Sequence, residues 1–197
     1  MMEDLDLSTL ELARAGDLDA YREFVHAYER PIHHTVFRLV GSRFAAEVED
    51  IAQDIFLKLF RALPQFDPSR GTKLSSWVFT FVKNYCFDVL KRRRLPIVSL
   101  DGGSDGATIP VPARTRGPRE ELSAREIQDL IGRAVDLLPR EQKLAFVLRE
   151  YEGLAYAEIA EVSGCSEGTI KSRIHRAKEA LRFRLRRLLF DMEGELP

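Results

Sequence analysis

Between Ala155 and Arg182 the chain reads AYAEIAEVSGCSEGTIKSRIHRAKEALR, and its second half is rich in donors and cations of the kind that meet nucleic acid. Glu167, Thr169, Lys171 and Ser172 stand near the start of a helical pattern, where side chains can reach base edges in a major groove. Arg173, Arg176 and Lys178 suit phosphate oxygens, whose contacts position a protein without specifying sequence, and His175 shares their polar face. Such a helix needs a bend behind it. Ala160 is the small residue over which a second helix can cross. Gly164, four places later, tolerates positive φ, and Ile170, six further on, is the apolar anchor. Ser166 is a good N-cap, and Ile170, Ile174, Ala177 and Leu181 step by four, three and four into one buried stripe. The spacing predicts a helix-turn-helix. On spacing alone, a basic amphipathic helix with a solvated face stays open as the alternative, and the further arginines at 182, 184, 186 and 187 add little to the choice.

The charge balance fits a chain with two kinds of partner. The formal net charge is only −1, but the first sixty residues hold twelve acids against six bases. From Cys165 to Phe190 the count is eight bases against two acids. An acidic end and a basic end imply unlike partners.

The elements that position these groups read as helices. Apolar residues from Leu10 to Val40 recur at three- and four-residue steps, with Pro31 marking a break or a new start. From Glu47 to Leu63, Val48, Ile51, Ile55, Phe56, Leu59 and Leu63 form a core stripe. Asp50, Gln53, Asp54 and Leu57 form a second stripe opposite it, with Lys58 beside them. Carboxylates around an exposed leucine suit a protein-docking surface, although a solvated acidic face has the same pattern. The turn-rich loop PQFDPSRGTK follows, then a helix capped by Ser75 or Ser76 that carries Trp77, Phe79, Phe81, Tyr85 and Phe87 and ends on Lys91, Arg92, Arg93 and Arg94. Four prolines and four glycines between Leu95 and Glu120 predict a flexible linker. No strand pattern of useful length occurs, so the expected fold is all-α: two small helical domains, 1–94 and 121–197, joined by the linker 95–120.

Other chemistry finds little support. Cys86 and Cys165 are far apart and form no zinc pattern with the four histidines; adjacent His33 and His34 cannot share a helix face. Cys165, in the turn of the motif, reads as a small buried thiol, with a redox switch as the alternative. Paired carboxylates can serve acid–base catalysis, but no nucleophile, metal cluster or phosphate cradle accompanies them. No cofactor and no metal are expected. The N-terminus has no signal-peptide character and the most apolar stretch, Trp77 to Val82, is too short to span a bilayer, so a cytoplasmic protein is expected.

The stretch LPREQKLAFVLREYEGLAYAEIAEVSGCSEGTIKSRIHRAKEALR resembles the C-terminal domain of bacterial sigma factors of the extracytoplasmic-function group. EDIAQDIFLKLFRALPQFDPSRGTKLSSWVFTFVKNYCFDVLKRRR resembles their N-terminal core domain. The two likenesses cover most of the chain in the family's order. The resemblance implies a non-catalytic subunit that binds core RNA polymerase, recognises two promoter elements and helps to melt the duplex. It implies that the helix-turn-helix reads the minus-thirty-five element. Asp50, Gln53, Asp54, Leu57 and Lys58 would dock on the clamp coiled coil of the largest polymerase subunit. Phe66, Asp67 and Arg70 would line a base-capturing loop at the minus-ten element, with Lys83 and Asn84 on the DNA side and Lys91, Arg92 and Arg93 on backbone phosphates. An anti-sigma partner and association with the nucleoid follow by the same resemblance. Ala155 stands where many relatives have a serine cap, so the first helix of the motif is expected to fray; Thr80 and Leu74 also depart from the common pattern. A stand-alone helix-turn-helix regulator and an enzyme acting on nucleic acid are the rival readings; co-purification with polymerase separates the first, turnover of labelled DNA the second.

Overall fold

The structure, a computed structural model, describes residues 5–94 and 124–193, with side chains described for 5–92 and 127–186. The segment expected to be a linker lies outside the described residues. Within them the chain forms eight α-helices and three short 3₁₀ turns, and no strand.

Helices α1 (Leu7–Arg14) and α2 (Leu18–Val40) are separated by a sharp turn at Gly16. Asp17 starts α2 by accepting from the backbone N–H groups of Asp19 and Ala20, at 3.0 and 2.9 Å. The break expected at Pro31 does not occur, because α2 runs through it. Proline in a helix interior removes one hydrogen bond and costs ~3 kcal/mol. Here Phe24, Tyr28, Ile32 and Val36 are fully buried on both sides of it. Burial of each such side chain is worth about 1.5–3 kcal/mol, so packing outweighs the lost bond.

Helix α3 (Val48–Ala62) buries the stripe Val48, Ile51, Ile55 and Leu59, while Phe56 is half-buried beside Phe60. Helix α4 spans Leu74–Arg94. It begins earlier than a cap at Ser75 or Ser76 would allow. Both serines are buried inside its first turn, and the Ser75 hydroxyl is committed to Glu158 at 3.3 Å rather than to the helix backbone.

The second half comprises α5 (Ala124–Asp136), α6 (Arg140–Glu150), α7 (Tyr156–Ser163) and α8 (Glu167–Glu193). Ala134, Val135, Leu138, Ala177 and Leu181 form a small cluster between α5 and α8. Leu144, Leu148, Ile159, Val162, Ile170 and Ile174 join the cluster that also contains the cores of α1 to α4. The halves thus pack on each other, α7 against α4 and both α5 and α6 against α2. Polar contacts reinforce the seam. The buried Thr35 hydroxyl donates to Glu152 at 2.9 Å, and the Arg38 guanidinium lies 3.6 Å from the centre of the Tyr151 ring. The Ser42 N–H and hydroxyl each donate to Asp136 at 3.1 Å. Gly41 has φ +85, and a Cβ there would stand 2.9 Å from the Asp136 carboxylate, so only glycine fits this approach.

Candidate nucleic-acid interface

The bend between α7 and α8 has the geometry its residues require. Gly164 adopts the left-handed conformation, φ 65 and ψ 39, and its N–H reaches back to Ala160 and Glu161. Ser166 caps α8: the Thr169 N–H donates to its hydroxyl at 3.3 Å. The stripe Ile170, Ile174, Ala177 and Leu181 is buried throughout. The fraying expected at Ala155 is not seen. The Ala155 N–H donates to the Glu158 carboxylate at 2.7 Å, so the acid at the third helical position satisfies the end that a serine would otherwise help to close.

Burial of that stripe turns the opposite face outward. Glu167, Lys171, Ser172, His175 and Arg176 are exposed, and Thr169 is half-buried at the cap. The Lys171 ammonium lies 5.7 Å from the centre of the Tyr156 ring, at the limit of a cation–π contact. Two cations of the motif are held by acids of α6 instead. Arg173 is half-buried, 3.4 Å from Glu141 and 3.5 Å from the Cys165 sulfur, and Lys178 lies 2.8 Å from Glu150. His175 sits 3.5 Å from Glu179 on the same helix. Cys165 itself is half-buried rather than fully enclosed.

The other candidate surface lies on α4 and the loop before it, and here the side chains divide. Phe66 is buried at 4 % exposure, its ring 5.1 Å from that of Trp77. It is a core residue in this arrangement, because an aromatic side chain at the end of a short loop fills the gap between α4 and the loop backbone. Asp67 caps the 3₁₀ turn Pro68–Arg70, accepting from the Ser69 N–H at 3.0 Å and hydroxyl at 2.6 Å. Those bonds, with Arg70 beside it, hold its carboxyl below the usual carboxylate range. Arg70 and Asn84 are exposed, as are Lys91 and Arg92; the side chain of Arg93 lies outside the described residues. Lys83 does not point to open solvent, since its ammonium donates to the backbone carbonyl of Val162 at 2.6 Å.

The third set is on α3, where Asp50, Gln53, Asp54, Leu57 and Lys58 are all exposed, Leu57 at 53 %. The Gln53 amide donates to Glu49 at 3.0 Å. The Tyr85 hydroxyl of α4 donates to Asp54, and Lys58 lies 4.5 Å from the centre of the Tyr85 ring. The bond to Asp54, aided by burial, pushes the tyrosine up to about 12, so it remains a donor at neutral pH. Tyr85 was not singled out for this set from sequence, where it stands only as one of the aromatics of this helix.

The two halves match two family descriptions in the same order: Sigma-70 region 2 over residues 24–95, and Sigma-70, region 4 over residues 128–181. The chain is 30% identical over 192 residues to the ECF RNA polymerase sigma factor SigW of Bacillus subtilis, covering 95% of this chain and 100% of that one. The chain belongs to the extracytoplasmic-function sigma factors. It is also 33% identical over 190 residues to the ECF RNA polymerase sigma-E factor of Escherichia coli K12, covering 92% of this chain and 95% of that one. Among solved structures, the fold is similar to CnrH in complex with the cytosolic domain of CnrY (TM-score 0.67, 21% identity, 90% of this chain and 95% of that chain). It is also similar to RpoE in complex with the anti-sigma factor NepR from Bartonella quintana (TM-score 0.63, 24% identity, 86% and 98%). The region 2 match runs from Phe24 in α2 through α4, and the region 4 match runs from within α5 to Leu181 in α8. No group of acids, histidines and cysteines suited to a metal occurs among the described residues, nor does a helix long and apolar enough to cross a membrane.

Proposed function

We propose that this sigma factor binds core RNA polymerase and directs initiation at a specific set of promoters, acting as a non-catalytic subunit in the cytoplasm and, within holoenzyme, on the nucleoid. The observation that carries the DNA-reading half is the outward face of α8, where Lys171, Ser172 and Arg176 are exposed above a fully buried stripe. Glu167, Thr169, Lys171 and Ser172 face the bases of the minus-thirty-five element, and Arg173, His175, Arg176 and Lys178 lie along its backbone. Arg173 and Lys178 exchange their acidic neighbours on α6 for phosphates to do so. At the minus-ten element Asp67, Arg70 and Asn84 meet the melted strand, Lys83 joins them once released from Val162, and Lys91, Arg92 and Arg93 meet phosphates. Phe66 supports that loop from beneath. Asp50, Gln53, Asp54, Leu57 and Lys58 dock on the clamp coiled coil of the largest polymerase subunit. The units are 1–94 and 121–197, with 95–120 as the tether that lets both elements be reached at once. An anti-sigma protein holds the chain inactive, in keeping with the complexes formed by its structural neighbours.

Co-purification tests the docking half. Asp54→Arg reverses one charge at the centre of the exposed α3 stripe, and holoenzyme recovery should fall while helicity by circular dichroism is kept. Recovery equal to that of the unaltered chain contradicts the docking assignment and favours a regulator that works without polymerase.

A further inference from the structure

Asp54 and Lys58 stand one turn apart on the exposed face of α3, and both meet the same residue of α4. The Tyr85 hydroxyl donates to one carboxylate oxygen of Asp54, and the Lys58 ammonium lies 4.5 Å from the centre of the Tyr85 ring. A carboxylate and a cation thus share one phenol. The ring is half-buried and packs against the main hydrophobic core. A tyrosine placed this way turns an apolar body inward and one polar atom outward. Packing fixes its position, and the bond it donates passes that order to an acid on the surface. Beside it on the stripe, the Gln53 amide is braced by Glu49 of its own helix.

An exposed aspartate without such a bond samples several rotamers, and a partner that binds it must order it first. Asp54 begins ordered. Its side chain is still exposed, and a carboxylate has room for more than one donor, so the bond to Tyr85 leaves it open to a second. A lysine or arginine of the docking partner has the matching chemistry. Because the phenol is pushed up to about 12, the donor is present throughout the pH range in which the protein would bind.

We infer that Tyr85 is a positioning residue for polymerase docking: its hydroxyl holds the Asp54 carboxylate in place for a basic side chain of the coiled coil. The inference rests on the docking assignment above and adds to it a residue of α4, from outside the α3 stripe.

The test uses the full-length chain, labelled at its N-terminus, and purified core polymerase, with affinity read by fluorescence anisotropy. Tyr85→Phe keeps the ring, and with it the packing and the seat of Lys58, and removes only the hydroxyl. It should bind core polymerase about fivefold more weakly, the scale of ordering one side chain on association. In an Asp54→Ala background the same substitution should change affinity by less than about twofold, because the hydroxyl acts through that carboxylate. A ring-fluorinated tyrosine in place of Tyr85 supplies a spectroscopic signature: its fluorine resonance should move on Asp54→Ala. Leu57→Ala reports on the docking face by itself, since the hydroxyl cannot bond to an aliphatic side chain. Weaker binding by Leu57→Ala with full affinity in Tyr85→Phe overturns the inference and leaves the docking face standing. Equal losses from Tyr85→Phe with and without Asp54, or a fluorine resonance blind to Asp54→Ala, also overturn it. Full affinity in Leu57→Ala and Asp54→Ala alike removes the docking assignment, and the role of Tyr85 falls with it.

Discussion

On α8 the ammonium of Lys171 and the guanidinium of Arg176 stand in solvent, whereas on α4 the ammonium of Lys83 ends on a backbone carbonyl of α7. Both surfaces are built from polar and cationic residues on helices of ordinary amphipathic pattern. What separates them is the partner on the other side. The recognition face is outward because its helix spends its apolar stripe on α5, α6 and α7, leaving nothing to cover the rest. The part of the α4 surface around Lys83 is covered because α7 has acids at Glu158 and Glu161 one turn apart, matched to Thr72, Lys73 and Ser75, while Arg70, Asn84, Lys91 and Arg92 stay exposed. A basic patch therefore is not by itself an available patch; availability depends on where the chain's own acids fall.

The largest expected effect separates the two kinds of residue in the α4 loop. Phe66→Ala should lower stability by about 3–5 kcal/mol, the usual cost of removing a buried aromatic ring, in a denaturant titration. Arg70→Ala, exposed on the same loop, should leave stability within about 0.5 kcal/mol and act only on DNA. Equal stability losses would break the division between a supporting and a contacting residue.

Next comes the seam between the two halves. Burial pushes the Glu152 carboxyl up from its ordinary 4.5 to about 7, against the opposing influence of the Thr35 hydroxyl and Arg38. A closed chain holds this proton to higher pH than an open one. The contribution to closure is therefore full below pH 4.5 and is lost as pH rises through about 7, a change of roughly 2–3 kcal/mol at most. The radius of gyration should grow between about pH 5 and 8, and Glu152→Gln should flatten that profile; a profile of the same steepness in the variant would assign the effect to another group.

A smaller effect sharpens the open side of the comparison. Lys171→Ala or Arg176→Ala should weaken binding to the minus-thirty-five element by about 1–3 kcal/mol while leaving the scattering profile unchanged. An unchanged footprint would remove those residues from the interface. Smallest of all, Glu150→Ala frees Lys178 from an exposed ion pair, which should alter stability by no more than about 1 kcal/mol and raise duplex affinity slightly at low salt.

Much of the frame was legible from local pattern. Gly164, Ser166 and the stripe from Ile170 to Leu181 specify the bend and its orientation within a short stretch of chain, and the structure places each where its chemistry requires. The α3 stripe was legible for the same reason, because a helical period of about 3.6 residues reports which face is inward. Contacts across the chain were not. Thr35 and Glu152 are 117 residues apart, and Thr72 and Glu161 are 89 apart, so no periodicity relates them. Pro31 misled because a local rule about helix interiors says nothing of the packing around Tyr28 and Ile32. Ser75 misled because a good capping residue also serves as a buried donor when an acid on another helix faces it, as Glu158 does, and Ser76 is simply buried beside it. Ala155 misled in the opposite sense, since the compensating acid lies three residues further on and closes the cap from the far side.

The central claim is that this sigma factor directs polymerase to promoters through the exposed α8 face and the surface formed by α4 and the loop before it. In vitro transcription from a promoter library, with core polymerase and the purified chain, tests it most directly. Discrete start sites should appear only when the chain is added, share two upstream sequence elements at one spacing, and weaken with Arg176→Ala through the upstream element alone. Start sites no different from those of core polymerase by itself would contradict the account.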